Sequence, residues 1–233
     1  MRRHLAIFLL LISAMATALA QDQPFYRREI GGGVGITNYL GDFNSSLTKG
    51  FQPEFNVVYR RCFTPFSALK IDASYTNIKG SSKDIDTFYP VTATDEYSFK
   101  RSLYDLNFTY EYNFWPFGTG REYRGAKPLT PFIFFGLGLT MASGETDLSD
   151  SKTAVTANVP LGFGVKYKIA ERLNLAVEWA VHFSLSDKLD GVTDPYGVTS
   201  KGLFKNTDCY SSLRATLTYC FSPKCATCNK DDW

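Results

Sequence analysis

Apolar and polar residues alternate with a period of two along most of this chain, and each such run predicts a β-strand. The clearest is LYDLNFTYEYNF, residues 103 to 114. Tyr104, Leu106, Phe108, Tyr110, Tyr112 and Phe114 fall on one face, and Asp105, Asn107, Thr109, Glu111 and Asn113 on the other. Successive side chains of a strand point to opposite sides, so this strand has one greasy and one polar surface. The pattern recurs at 51–61, 66–78, 155–169, 171–185 and 208–221. At 131–141 a file from Ile133 to Met141 has Phe132, Phe134, Gly136 and Gly138 behind it. A glycine-rich first strand at 29–37 brings the total to about eight. An even number is what single-chain bacterial barrels have.

Two architectures accommodate such strands. In a soluble sandwich the greasy faces meet inside. In a membrane barrel they face lipid, and the polar faces, carrying Glu54, Arg60, Lys70, Asp72, Arg101, Asp105, Glu111, Lys166, Glu178, His182 and Arg214, line the interior. The N-terminus decides between them. Met1-Arg2-Arg3-His4 is basic, LAIFLLLISAM is apolar but too short to span a bilayer, and Ala18-Leu19-Ala20 has the small-x-small form of a signal peptidase site. The terminal aromatic Phe221 points the same way. The predicted fold is all-β, a transmembrane antiparallel β-barrel of about eight strands. Residues 1–20 form a signal peptide, 21–221 the barrel and 222–233 a periplasmic cysteine-containing tail. The expected location is the cell outer membrane, with both termini periplasmic.

Composition agrees with a barrel. Aromatic residues make up 15% of the chain, a surplus suited to lipid-facing belts. A mean hydropathy of −0.16 is no objection, because each strand is only half apolar. Without Arg2 and Arg3 the charges balance at 23 basic and 23 acidic side chains, which leaves no footprint for nucleic acid. The connections near 38–50, 79–97, 142–153 and 187–207 are long and polar, as outer loops are; Cys62-Phe63-Thr64-Pro65 and Ala170-Glu171 are short, as periplasmic turns are. One connection on the short side breaks the rule. WPFGTGREYRGAKPL, 115–129, is long, aromatic at its start and basic later. Trp115, Pro116, Phe117, Arg121, Arg124 and Lys127 are the candidate partner-binding residues.

No motif points to catalysis. GGGVG at 31–35 lacks the spacing and the strand–helix setting of a phosphate loop, and its glycines are expected to pack under neighbouring aromatics. His182 and Ser184 invite comparison with lipid A hydrolases, but they fall on the polar face, away from acyl chains; a lumen histidine paired with a carboxylate is expected. Eight strands leave an interior that side chains fill, which argues against a pore. No enzyme activity, cofactor, metal or small-molecule substrate is expected. The cysteines would be oxidised after export. Cys62, Cys220, Cys225 and Cys228 map to the periplasmic end and are disulfide candidates, while Cys209 maps to the other end. The first strand separates Cys62 from Cys220, placing their backbones roughly 9–10 Å apart, beyond the about 7 Å limit for a bridge. The tail must fold back if Cys62 is to pair within the chain.

Several segments in order carry a family resemblance: GGGVGITNYLGDFN, YRRCFTPFSALKIDASYTNIKGSSKD, SFKRSLYDLNFTYEYNFWPF, LTPFIFFGLGL, PLGFGVKYKIAERLNLAVEWAVHFSLSDKLDGV and LRATLTYCF. Together they resemble PorG and its relatives, small outer-membrane barrels of the type IX secretion system. The resemblance implies a structural role beside the periplasmic ring formed by the lipoprotein PorK and by PorN, with outer-membrane lipid as the other partner. The remaining alternatives are a lipid A-modifying enzyme and a generic surface barrel acting through its outer loops.

Overall fold

A computed structural model describes residues 26–40, 50–81, 98–118, 125–146, 153–185 and 209–223. Eight strands account for most of them: β1 (Tyr26–Leu40), β2 (Gln52–Cys62), β3 (Ser67–Ser81), β4 (Ser98–Asn113), β5 (Leu129–Thr146), β6 (Thr153–Ala170), β7 (Leu173–Ser184) and β8 (Cys209–Pro223). Each pairs antiparallel with its chain neighbours, and β8 returns to β1 from Tyr26↔Pro223 to Leu40↔Cys209, closing the barrel. Closure leaves no unpaired edge, a condition a lipid-embedded sheet must meet.

The barrel is apolar outside and polar inside. Leu137 is 67% exposed on the outer wall while Lys70, Asp72 and Glu111 are fully enclosed. Phe55, Val57, Tyr104, Leu106, Phe108, Phe163 and Leu217 continue the outer surface. In water this distribution would expose far more apolar area than a folded domain tolerates; in a bilayer it removes that area from water and satisfies the charges within. No helix among the described residues is long and apolar enough to cross a membrane; the strands make the crossing.

The two ends differ. At one, β2–β3 and β6–β7 are joined by residues 63–66 and 171–172. In the first turn Thr64 Oγ1 accepts the Phe66 amide at 3.1 Å and lies 2.8 Å from Ser67 Oγ, while the Phe63 amide donates to the Ser67 carbonyl; the threonine side chain thus closes the turn itself. The β6–β7 turn falls at Glu171-Arg172, one residue later than the alternation suggests, because a register shift between Lys168 and Ala170 takes up an extra residue. β1 leads to β2, β3 to β4, β5 to β6 and β7 to β8 from the opposite end of the barrel; residues 41–49, 82–97, 147–152 and 186–208 lie outside the described residues.

The interior face of β5 departs from the simple alternation. Phe132 and Phe134 point inward and are buried, their rings stacked with centroids 5.9 Å apart. Across the sheet they face Gly164 and Gly162, whose missing side chains leave the room: a Cβ at Gly162 would lie 2.5 Å from Phe134 Cζ. Aromatic cover of glycine therefore occurs here and not at the 31–35 segment, where the sequence predicts it. Over Gly33 the crossing is polar, with Asn56 Nδ2 donating to Thr216 Oγ1 at 3.2 Å.

Candidate functional site

Charges inside the barrel form one connected network. Arg60 bridges Glu29 and Glu111. Glu111 also accepts Lys166 Nζ at 2.6 Å and has Lys70 Nζ at 3.7 Å. Lys70 donates to both Glu178 oxygens at 2.9 Å; Arg214 pairs with Glu178 and, at 3.2 Å, with Glu54 and Asp72. Lys70 and Lys166 also sit over the Phe134 and Phe132 rings, at 4.2 and 4.4 Å. Opposite charges from β1, β2, β3, β4, β6, β7 and β8 thus cross-link the lumen. The packing is that of a plug.

Toward the long-loop end uncharged side chains gather around the Asp105 carboxylate. Tyr210 donates to Asp105 at 2.8 Å and lies 3.2 Å from Thr140 Oγ1, which accepts Asn158 Nδ2 at 2.6 Å. His182 stacks on the Tyr210 ring, centroids 4.4 Å apart and planes 9° from parallel. Its expected carboxylate partner is replaced by this stack, because β7–β8 register sets His182 directly opposite Tyr210. Ser184 Oγ lies 3.2 Å from Thr156 Oγ1. Both residues face the lumen, as the alternation predicts, and no base–nucleophile contact joins them among the described residues.

The short-turn end carries the other site. The β4–β5 connection, 114–128, is pinned along its described length. The Phe117 amide donates to the Pro65 carbonyl at 3.0 Å, Lys127 to Pro116 at 2.8 Å, and Lys168 to Pro128 at 2.7 Å. Thr130 Oγ1 accepts the Trp115 amide and donates to the Trp115 carbonyl, both at 3.0 Å. Gly125, with φ +85°, makes a bend that other residues rarely adopt. Trp115 is 40% exposed, with Lys127 Nζ 4.8 Å from its ring centroid. Pro116 is half-buried. Phe117 is only 6% exposed, so it serves this chain's own packing and is unavailable as an anchor for a partner. Arg121 and Arg124 lie outside the described residues.

The thiols at this end converge on one carboxylate. Cys62 and Cys220 Sγ lie 3.8 and 3.7 Å from Glu29 Oε1, and Asn174 Nδ2 donates to both that oxygen and Cys220 Sγ at 3.1 Å. No disulfide joins Cys62, Cys209 and Cys220 to one another; Cys62 and Cys220 stand on strands either side of β1, as the topology requires. Cys225 and Cys228 lie outside the described residues. No group of three metal-ligating side chains forms among the described residues. Glu29 and Tyr210 escaped the sequence reading. Glu29 lies on a strand whose next inward positions are glycines, so no alternation marks it, and Tyr210 has the residue type of a lipid-facing position.

Comparison with known proteins places the chain in a family. A family model described as a domain of unknown function, DUF6089, matches residues 2–230. No curated protein matches the chain. Among solved structures it is similar to Neisserial surface protein A, at 18% identity and TM-score 0.49 over 83% of this chain and 97% of that one. It is also similar to the attachment invasion locus protein Ail of Yersinia pestis, at 10% identity and TM-score 0.46 over 84% and 99%. A major outer membrane protein from Thermus thermophilus aligns at 16% identity and TM-score 0.45 over 83% and 99%.

Proposed function

The chain belongs to the DUF6089 family, and we propose that it is a non-enzymatic outer-membrane barrel of the type IX secretion system, docking the periplasmic PorK/PorN ring through its short-turn end. One observation carries this reading: the β4–β5 connection. Short periplasmic turns are the rule in such barrels, yet this one runs from Phe114 to Pro128. It is held in shape by hydrogen bonds to the β2–β3 turn and to the end of β6. The described parts of this over-long turn, 114–118 and 125–128, present Trp115 under Lys127 already hydrogen-bonded in place, an aromatic and a cation held together at a low ordering cost on binding. Arg121 and Arg124 add basic character to the same connection. The ordered resemblance of nearly the whole mature chain, short of the closing CATCNKDDW, to PorG and its relatives supplies the identity of the partner.

The charge-filled lumen supports a structural role over a conducting one. The inward placement of His182 and Ser184, each engaged by a neighbour, supports a non-enzymatic role over lipid A chemistry. The test is recovery of the ring lipoprotein with affinity-tagged barrel from cross-linked membranes. Trp115→Ala with Lys127→Ala should lower recovery at least tenfold while the barrel still inserts, and deletion of the gene should block export of cargo. Full recovery with the double variant, or normal export without the gene, would overturn the reading.

A further inference from the structure

The outer wall at the short-turn end contains an arrangement that the barrel does not explain. Arg28 on β1 and Arg61 on β2 are direct cross-strand partners. Both are exposed on the lipid-facing side. Side chains so paired have Cβ atoms about 5 Å apart, and like charges there repel. Neither forms a salt bridge among the described residues; their side neighbours are Phe221, opposite Arg28, and Leu69, opposite Arg61. The Arg61 guanidinium lies over the Phe63 ring, 5.6 Å from its centroid. One pair further into the wall stand Ile30, half exposed, and Tyr59. Aromatic side chains Phe63, Phe114, Trp115, Tyr167 and Tyr219 mark the same end as the interfacial girdle.

We propose that Arg28 and Arg61 form a binding site for the phosphate of a glycerophospholipid in the inner leaflet. Whatever covers this patch must supply hydrocarbon against Ile30 and a negative group one residue pair below it. A phospholipid has that architecture, and two adjacent guanidiniums can each direct N–H donors at one phosphate. The bound anion converts a repulsive pair into a bridged one. The choice of leaflet rests on the orientation proposed above; the phosphate chemistry does not.

The test uses the full-length mature protein. Native mass spectrometry in neutral detergent, titrated with phosphatidylglycerol, should show roughly 25-fold weaker binding for Arg28→Gln/Arg61→Gln than for the unsubstituted protein. A second readout covers failure of the double variant to insert. Arg28→Gln alone should unfold at higher urea than the unsubstituted protein in phosphate-free maltoside micelles, where repulsion is relieved. In vesicles containing phosphatidylglycerol it should unfold at lower urea, where the bridge is lost. Equal lipid affinity in the double variant, or a shift of the same sign in the micelles and in the phosphatidylglycerol vesicles, would overturn the site. Tighter binding of lipid A than of phosphatidylglycerol would overturn the assignment to a glycerophospholipid. Ring recovery has no part in these readouts, so the site and the docking function fail separately.

Discussion

Replacing Glu111 by Gln removes the hub of the lumen network. Its carboxylate accepts Arg60 Nε at 2.7 Å and Nη2 at 3.2 Å and Lys166 Nζ at 2.6 Å, with Lys70 at 3.7 Å. Arg60 would retain Glu29 and Lys70 would retain Glu178, but Lys166 would lose its charged partner and keep neutral acceptors, the substituted amide oxygen and Asn113 Oδ1 at 3.0 Å, with the Phe132 ring. Opposite charges at about 4 Å attract by about 4 kcal/mol at an effective dielectric near 20. Burial of the ions offsets much of that gain, so the pair itself contributes little net stability. Deleting one member leaves the burial cost of the other uncompensated, about 3–5 kcal/mol. The expected loss for Glu111→Gln is in that range, measured by urea unfolding in lipid vesicles with the heat-modifiable gel shift as probe. Adding Lys166→Met removes the stranded ammonium and should restore part of the loss, with a coupling of roughly 0.5–3 kcal/mol. A loss below about 1 kcal/mol would match an exposed ion pair and refute a dry, plugged lumen.

Other substitutions test separate parts of the account. Leu106→Arg places a charge on the lipid-facing wall and should cost about 2–4 kcal/mol near the bilayer midplane, whereas Leu106→Phe should insert normally; equal insertion of the two, judged by heat modifiability, would reverse the facing of β4. Gly162→Ala drives a methyl group to 2.5 Å from Phe134 and 2.3 Å from the Trp179 carbonyl, so overpacking should lower stability by about 1–3 kcal/mol, read from the same urea titration. His182→Ala and Ser184→Ala should leave the lipid A mass spectrum of the host unchanged; a gained or lost acyl chain would favour an enzyme.

The barrel was legible in the sequence because a strand between lipid and a charged lumen has two opposed environments, and Tyr104 to Asn113 record both without interruption. Legibility fails where one face is not diagnostic. PFIFF at the start of β5 is apolar on both sides; the alternation sets Phe132 and Phe134 behind the outer file, but only pairing with Gly162 and Gly164 shows the room they fill beneath cations. Glu29 follows the same logic, since its carboxylate acquires meaning only when β8 closes on β1 and brings Cys220 beside it. The ion pairs could not be read in advance, because Lys70 and Glu178 meet across the lumen from strands far apart in sequence. The unusual length of the 115–129 turn was visible; its internal division was not. Trp115 and Lys127 face outward together, while Phe117 is drawn in by the Pro65 carbonyl, a contact that depends on the neighbouring turn.

Docking through the short-turn end is tested most directly by site-specific photo-crosslinking in living cells. A photoreactive side chain is placed at Lys127, on the 115–129 turn, or at Leu185, exposed at the opposite end. The account predicts a crosslink to the ring lipoprotein from position 127 and none from position 185. A crosslink from position 185 alone would contradict it and put the docking face on the other side of the membrane.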